Sequence, residues 1–511
     1  MRATRLTALW LLPAALLTAQ SFDLSALDTS ADACVDFYQY ACGTWMAKNP
    51  IPADRASWGR FEELQERNRA VLQNILESVS ADKPGRSAVE QKIGDYYASC
   101  MDEKTIDAKG IAPLKPALDG IANLAGKEAL AAEIARLHTV GVRALFLFDS
   151  TQDFKDATEV IAEVDQRGIS LPDRDYYFKS DAKSVETRKL YQAHVAKMFR
   201  LLGASPQKAA AQARVVMEVE TGLAMGSLDR VSRRDPNKLY HRMAKKELMA
   251  LSPSFNWNRY FEGAGTPPVG SLNVAVPDFF KQMESMLGST SLENWKTYLT
   301  WQLAHSMAPL LPTAFVNEDF AFYGKTLTGQ KELRPRWKRC VALTDNQLGE
   351  ALGRAFVERA FGVEGKQRTL RMVEALEEAL ARDIRELPWM TPATKEQALV
   401  KLHAITNKIG YPEKWRDYNS VKIVRGDALG NAMRADEFEF RRQLVKIGRP
   451  LDRTEWFMTP PTVNAYYDSQ MNNINFPAGI LQPHFLRQQD RRRGEFRRHR
   501  RRHRARADPR L

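Results

Sequence analysis

Apolar residues recur at helical spacing through most of the first 415 residues, and that period confines the chain to a mainly helical body. Leu64, Val71, Leu72, Ile75 and Leu76 share one face of a helix predicted over 59–79. Val89, Ile93, Tyr96 and Cys100 repeat the pattern, which puts Cys100 on a helix face. The same period predicts helices over 184–202, 206–223, 291–311, 366–386 and 392–407, with Pro388 ending the long fourth one. One interruption reads as strand: 142–148 and 159–164 are rich in β-formers and can pair as a small sheet. No repeat appears at solenoid periods. After about residue 415 the segments shorten, 421–424 among them. Residues 463–476 alternate like a hairpin, so a domain transition is expected within 416–460.

The two ends differ from this body. Arg2 and Arg5 precede an apolar run from Leu6 to Leu17, followed by small residues at Thr18-Ala19, the order of a secretory signal peptide over 1–19. An uncleaved anchor is the alternative, but the run is short for a membrane span and no later segment reaches that length. Export implies an oxidising compartment. At the other end, 487–511 holds twelve Arg, no Lys and three acids. Of the formal +13, this tail carries +9 and Arg2 and Arg5 a further +2, so the body is about neutral. A basic tail on a neutral body argues against a nucleic-acid partner, although binding of an anionic surface through the Arg run stays open.

Several stretches then point one way. Cys34-Val-Asp-Phe-Tyr-Gln-Tyr-Ala-Cys42-Gly-Thr-Trp45 opens the body, and Gly168-Ile-Ser-Leu-Pro-Asp-Arg-Asp-Tyr-Tyr177 follows the small sheet. Phe322 to Gly329, Arg334 to Cys340, Trp389 to Lys395 and Lys408 to Arg416 come next. Val463-Asn-Ala-Tyr-Tyr467 leads into Asn475-Phe-Pro-Ala-Gly-Ile-Leu-Gln-Pro483. In this order and spacing, over about residues 30–486, the chain resembles the neprilysin / endothelin-converting-enzyme family of zinc metallopeptidases. The resemblance implies a mainly α fold: a large helical N-terminal cap region with a small sheet (20–415), then a linker and the first, β-rich part of a thermolysin-like catalytic domain (416–486). It implies a zinc endopeptidase acting on peptides small enough to enter an enclosed chamber.

The resemblance also implies site residues. Asn464 and Ala465 match the family's edge strand, which binds substrate as an added strand; an Asn amide both donates to and accepts from a peptide backbone. Taken alone, these residues read as an ordinary edge strand with a structural Asn. Cys100 matches a cysteine that pairs with the one at Cys340. The counterparts of Cys34 and Cys42 pair with cysteines of the catalytic domain, which leaves these two orphaned here; a local Cys34–Cys42 bridge is the alternative. Mammalian members grip a substrate carboxylate with Arg side chains, and the positions that align with them are Ser57 and Gln65.

The zinc motif itself is not in the sequence. Two His one helical turn apart, with a Glu between them, hold zinc and polarise its water in the family's HExxH, and no HExxH occurs. His138, His194, His241, His305, His403 and His484 are dispersed. His499 and His503 have the right spacing but no intervening Glu and five Arg in or beside the pair, the opposite of a zinc site's acceptor-rich surroundings. No metal ligand, catalytic residue or bound zinc is therefore expected in this chain. The tail explains why. Read one base later, the codons permitted from Phe496 to Arg510 allow F-G-G-I-G-A-V-I-G-H-E-L-T-H-G at all fifteen positions. A one-base slip near 485–487 is expected, with 487–511 out of frame. Two functional expectations follow: an exported zinc metalloendopeptidase by descent, inactive as written, or a non-catalytic peptide-binding pseudopeptidase.

Overall fold

The computed structural model describes residues 23–483 and 485. The expected leader (1–19), the tail (487–511) and His484 lie outside the described residues. The chain divides into two units, 1–52 and 53–511. The first, described from residue 23, holds the helix Phe37–Lys48, capped by the Asp36 carboxylate, which accepts from the Gln39 N–H. Thr44 ties this helix to the preceding turn by donating to the Leu27 carbonyl. Cys34 and Cys42 are both free thiols.

The second unit is mainly helical, as the period predicts. Helices Arg60–Ser80, Ala88–Met101, Ala182–Leu201, Pro206–Gly226, Leu292–Met307, Gly362–Glu386 and Pro392–His403 fall within a few residues of the expected bounds. Their starts are chemically marked. Ser87 and Glu90 form a reciprocal capping box, and Ser205 caps a helix whose first residue is Pro206. The last predicted helix ends early, because 406–410 turn into a strand. Ala428–Leu444 is a helix in a region expected to hold only short segments.

The small sheet has four strands. β1 (Phe146–Gln152) and β2 (Val160–Gln166) pair antiparallel, Phe146 opposite Gln166. β3 (Arg242–Ala244) and β4 (Ser271–Val274) complete it in the order β1-β2-β4-β3. β1 starts at Phe146 rather than 142 because Leu145 takes φ 65°, which breaks extended backbone. A second sheet has order β5-β7-β6: β5 (Thr406–Gly410) runs parallel to β7 (Asn473–Pro477), and β6 (Tyr466–Asp468) pairs antiparallel to β7.

Two large apolar cores result, with a third, small one of Ala381, Ile384 and Leu402. One surrounds β1, β2 and β4 and includes Phe146, Tyr260, Phe280 and Trp301. At its heart the fully buried Glu220 carboxylate accepts from Ser170, Tyr177, Tyr191, Trp301 and Gln302 at 2.6–3.2 Å. Five donors make a buried carboxylate tolerable, and burial still raises its pKa. This hub locks the 168–177 motif onto the helices behind it. The other core joins Leu72, Ile75 and Leu76 to Leu352, Phe356 and Ile409 beside the second sheet. Across it, Cys100 and Cys340 form a disulfide with Cα atoms 5.7 Å apart, linking Ala88–Met101 to Arg336–Gln347. Among the described residues no helix is long and apolar enough to cross a membrane.

The bridge closes a loop of 240 residues. Replacing both cysteines by Ser is expected to cost about 2–5 kcal/mol. Urea unfolding of wild type and variant, each with and without reductant, measures this. An unchanged midpoint would show that the bridge does not constrain the fold.

Candidate peptide-binding site

The site is built where the Arg60–Ser80 helix meets the segment 456–485. Leu64, Asn68, Leu72, Ile75 and Leu76 all point inward from this helix, so Asn68 interrupts an apolar stripe. Its buried amide nitrogen donates to two carbonyls, Pro461 at 3.1 Å and Gly479 at 3.0 Å. Both amide hydrogens are thereby used, and the turns before β6 and after β7 are pinned to one side chain. Gly479 N–H also donates to the Pro460 carbonyl at 2.7 Å. A Cβ at Gly479 would sit 2.1 Å from the Pro461 oxygen, so only Gly permits this crossing.

A second fixing point lies just upstream of the edge strand. Thr459 donates to the Asp345 carboxylate at 3.2 Å and lies 3.0 Å from the Thr462 hydroxyl, closing a turn that aims 463–465 outward. Burial pushes Asp345 up to about 7, although Thr459 and Arg69 both favour its charged form.

From this turn Asn464 and Ala465 run into β6. β6 is the outer strand of its sheet, so among the described residues nothing pairs with its far side. Asn464 is exposed and Ala465 half-buried. The Asn464 side-chain oxygen accepts from the Ala465 N–H at 2.9 Å, so the group that would bond a peptide is occupied locally. Behind them, Tyr466 stands opposite Asn475, whose buried amide donates to Asn473 and lies 3.4 Å from the Tyr466 carbonyl. Phe457 and Tyr467 are 64% and 46% exposed and flank the strand with aromatic surface.

The first turns of the Arg60–Ser80 helix close one end. Phe61 packs on Phe485 with ring centres 4.7 Å apart. Ser57 donates to Glu62 at 3.3 Å, and Gln65 accepts from Arg55 at 3.4 Å. Arg55 does not replace the family's gripping Arg. It is buried and ion-paired with Glu66, which also binds Arg69 and Lys338. Burial, then the neighbouring Arg69 and Arg334, bring its pKa down to about 10.

The described residues do not fit a zinc centre. No group of three or more His, Cys, Asp or Glu is placed to hold a metal among them. Both ring nitrogens of His138 are engaged, by Tyr260 at 2.7 Å and by the Ala144 carbonyl at 2.8 Å. His194 pairs with Glu318 at 3.0 Å.

Comparison with known proteins decides the family. The sequence model of peptidase family M13 matches residues 33–412. The chain belongs to peptidase family M13. An M13 relative in Locusta migratoria, an endothelin-converting enzyme homolog, is 32% identical over 501 residues, covering 92% of this chain and 68% of its own length. Human endothelin-converting enzyme 1 is 31% identical over 486 residues, 90% of this chain and 62% of its own. The chain thus spans about two thirds of the length of these M13 relatives. Among solved structures, the Mycobacterium tuberculosis zinc metalloprotease Zmp1 in complex with an inhibitor superposes with a TM-score of 0.86 at 39% identity, over 91% of this chain and 71% of that one.

Asn464 and Ala465 were singled out in the sequence by motif; Asn68 and Asp345, which hold the chain beside them, were not. The signal for Asn68 was available, a lone amide in an apolar stripe, whereas nothing local to Asp345 announces Thr459.

The Asp345 carboxyl gives the site a pH signature. Its folded pKa lies above the ordinary 3.8, so the stability it contributes is full below about pH 4 and lost as pH rises towards 7. The Oδ1 atom is buried without a hydrogen-bond partner, so ionising this carboxyl in the folded protein costs on the order of 2–4 kcal/mol. Asp345→Asn is expected to be more stable than wild type by that amount at pH 8, with the gap narrowing at pH 5 and closing below about pH 4. A gap that urea unfolding finds independent of pH would remove the buried-acid account.

Proposed function

We propose that this chain is the peptide-binding body of an exported M13 zinc metalloendopeptidase of the neprilysin type, and that in its present reading frame it binds small peptides without cleaving them. The observation that carries this reading is the edge of β6. Asn464 and Ala465 lead directly into this outer strand, which no other strand flanks among the described residues, and the chain just before them is tied at Pro461 to Asn68 and at Thr459 to Asp345. A peptide laid along this edge would form main-chain hydrogen bonds in register. The Asn464 amide would turn from Ala465 to the peptide, donating and accepting at once. Phe457 and Tyr467 would cover alternate side chains. Ser57 and Gln65 offer no guanidinium to a terminal carboxylate, so the site would not select for a free C-terminus.

Zinc would supply the Lewis acid and activated water in an M13 peptidase, but residues 23–483 do not fit it. The Arg-only tail and its fifteen-position compatibility with a shifted frame containing HELTH support a one-base slip as the reason. The apolar leader and the Cys100–Cys340 bridge support export to the periplasm, the extracellular space or the cell surface. A pseudopeptidase that binds peptides by design is the second reading, favoured by the intact edge strand. Resequencing the locus separates the two: a shifted frame that continues past residue 511 favours the peptidase.

Two measurements check the binding reading. Fluorescence anisotropy with a labelled small peptide should show saturable binding, weakened about tenfold by Asn464→Ala, the loss of one or two hydrogen bonds. Free-acid and amidated peptides should bind alike to within about twofold, since no charge meets the terminus. On a fluorogenic peptide, the 511-residue form should show no chelator-sensitive cleavage, and the frame-restored form should. Chelator-sensitive cleavage by the purified 511-residue protein would overturn the assignment of the chemistry to the shifted frame.

A further inference from the structure

The loop after β2 opens onto a second cavity, of about 330 Å³, that shares no residue with the peptide site. Arg167 and Arg174 come from this loop, Arg230 and Arg233 from the segment after the Pro206–Gly226 helix, and His305 from Leu292–Met307. The 168–177 motif, locked down by Glu220, thus presents guanidinium groups rather than apolar side chains to the opening.

The four cations are unequally satisfied. Arg233 makes a bidentate pair with Asp165 at 2.6 and 2.9 Å. Arg230 reaches Asp173 at 4.0 Å with most of its side chain in solvent. Arg174 donates to the Ala224 carbonyl at 3.3 Å and stacks over Phe178. Arg167 has no hydrogen bond or ion pair among the described residues. With Asp165 and Asp173 counted against the four Arg, two positive charges are left over. The buried Nδ1 of His305 makes no hydrogen bond and faces the Asp319 carboxylate at 3.9 Å.

The surroundings register this excess. Burial, then the nearby Arg143 and Arg233, lower the Arg167 pKa, with Asp165 acting the other way. Burial, then His194 and Arg167, push His305 down to about 4. Nothing else on this wall has a comparable surplus of one sign. Guanidinium forks bind the oxygens of a phosphoryl group through paired, charge-assisted hydrogen bonds, and two uncompensated cations suit its double negative charge.

We propose that this cavity is a binding site for a phosphoryl group, held by Arg167 and Arg230 with His305 on its inner wall. Two sources share that chemistry, free phosphate and a small phosphate monoester. The site lies within the helical region, so its occupancy is independent of whether the chain cleaves peptides.

Isothermal titration calorimetry of the full protein with sodium phosphate, against sodium chloride at matched ionic strength, tests it. A second arm uses glycerol phosphate. Saturable binding with Kd below about 1 mM is expected in at least one arm. Phosphate alone identifies the free anion, and tighter glycerol phosphate identifies a monoester. Arg167→Gln and Arg230→Gln alter exposed side chains, and thermal unfolding confirms that each variant folds. Each should weaken binding about tenfold. The His305 ring proton signals should report a raised pKa when phosphate is bound. No heat in either arm overturns the site. So does binding that both variants leave unchanged, or that leaves the His305 titration where it was.

Discussion

One buried amide organises the functional face. Asn68 lies among buried Leu64, Leu72, Ile75 and Leu76 on the Arg60–Ser80 helix, next to the buried Arg69, and a polar group there is costly unless its hydrogen-bonding capacity is used. It is used: both N–H groups reach carbonyls, on Pro461 and Gly479. A Leu at this position would pack as well and hold nothing. The amide converts the helix from a hydrophobic support into a clamp on the two chain segments that carry the second sheet, and the outer position of β6 follows from where that clamp sits.

The helical body was legible in the sequence because its elements are long and strongly periodic. The Arg60–Ser80 and Ala88–Met101 helices repeat over several turns, so a shift of one residue does not change the reading. The sheets were less so. β3 and β4 have three and four residues, too few to show a period. β1 was misplaced by four residues because Leu145 adopts a backbone conformation that its side chain disfavours, held there by Tyr298, whose hydroxyl accepts from the Leu145 N–H. β5 was hidden at the end of a helical pattern, since its partner β7 lies more than sixty residues away. In the candidate site, the motif pointed to Asn464 and Ala465, whereas Asn68 and Asp345, which act through contacts distant in sequence, carried no local signal that was used.

Family membership and site assignment rest on different parts of the chain. The M13 match covers 33–412, whereas Asn464 and Ala465 lie beyond it. What connects the two is the clamp, since Asn68 belongs to the matched region and Pro461 and Gly479 do not. The role of the edge strand is therefore carried by the motif and by this geometry together.

That connection also fixes an order of events. Asn68 meets its two partners across 393 and 411 residues of chain. Contacts so distant in sequence form only after the intervening helices have shortened the effective loop between them. During synthesis the Arg60–Ser80 helix can therefore exist for most of translation with its amide unmet, and the outer edge of β6 is among the last features to take shape. The surface around β6 therefore closes only when nearly everything before residue 479 is folded, and a half-made chain lacks it.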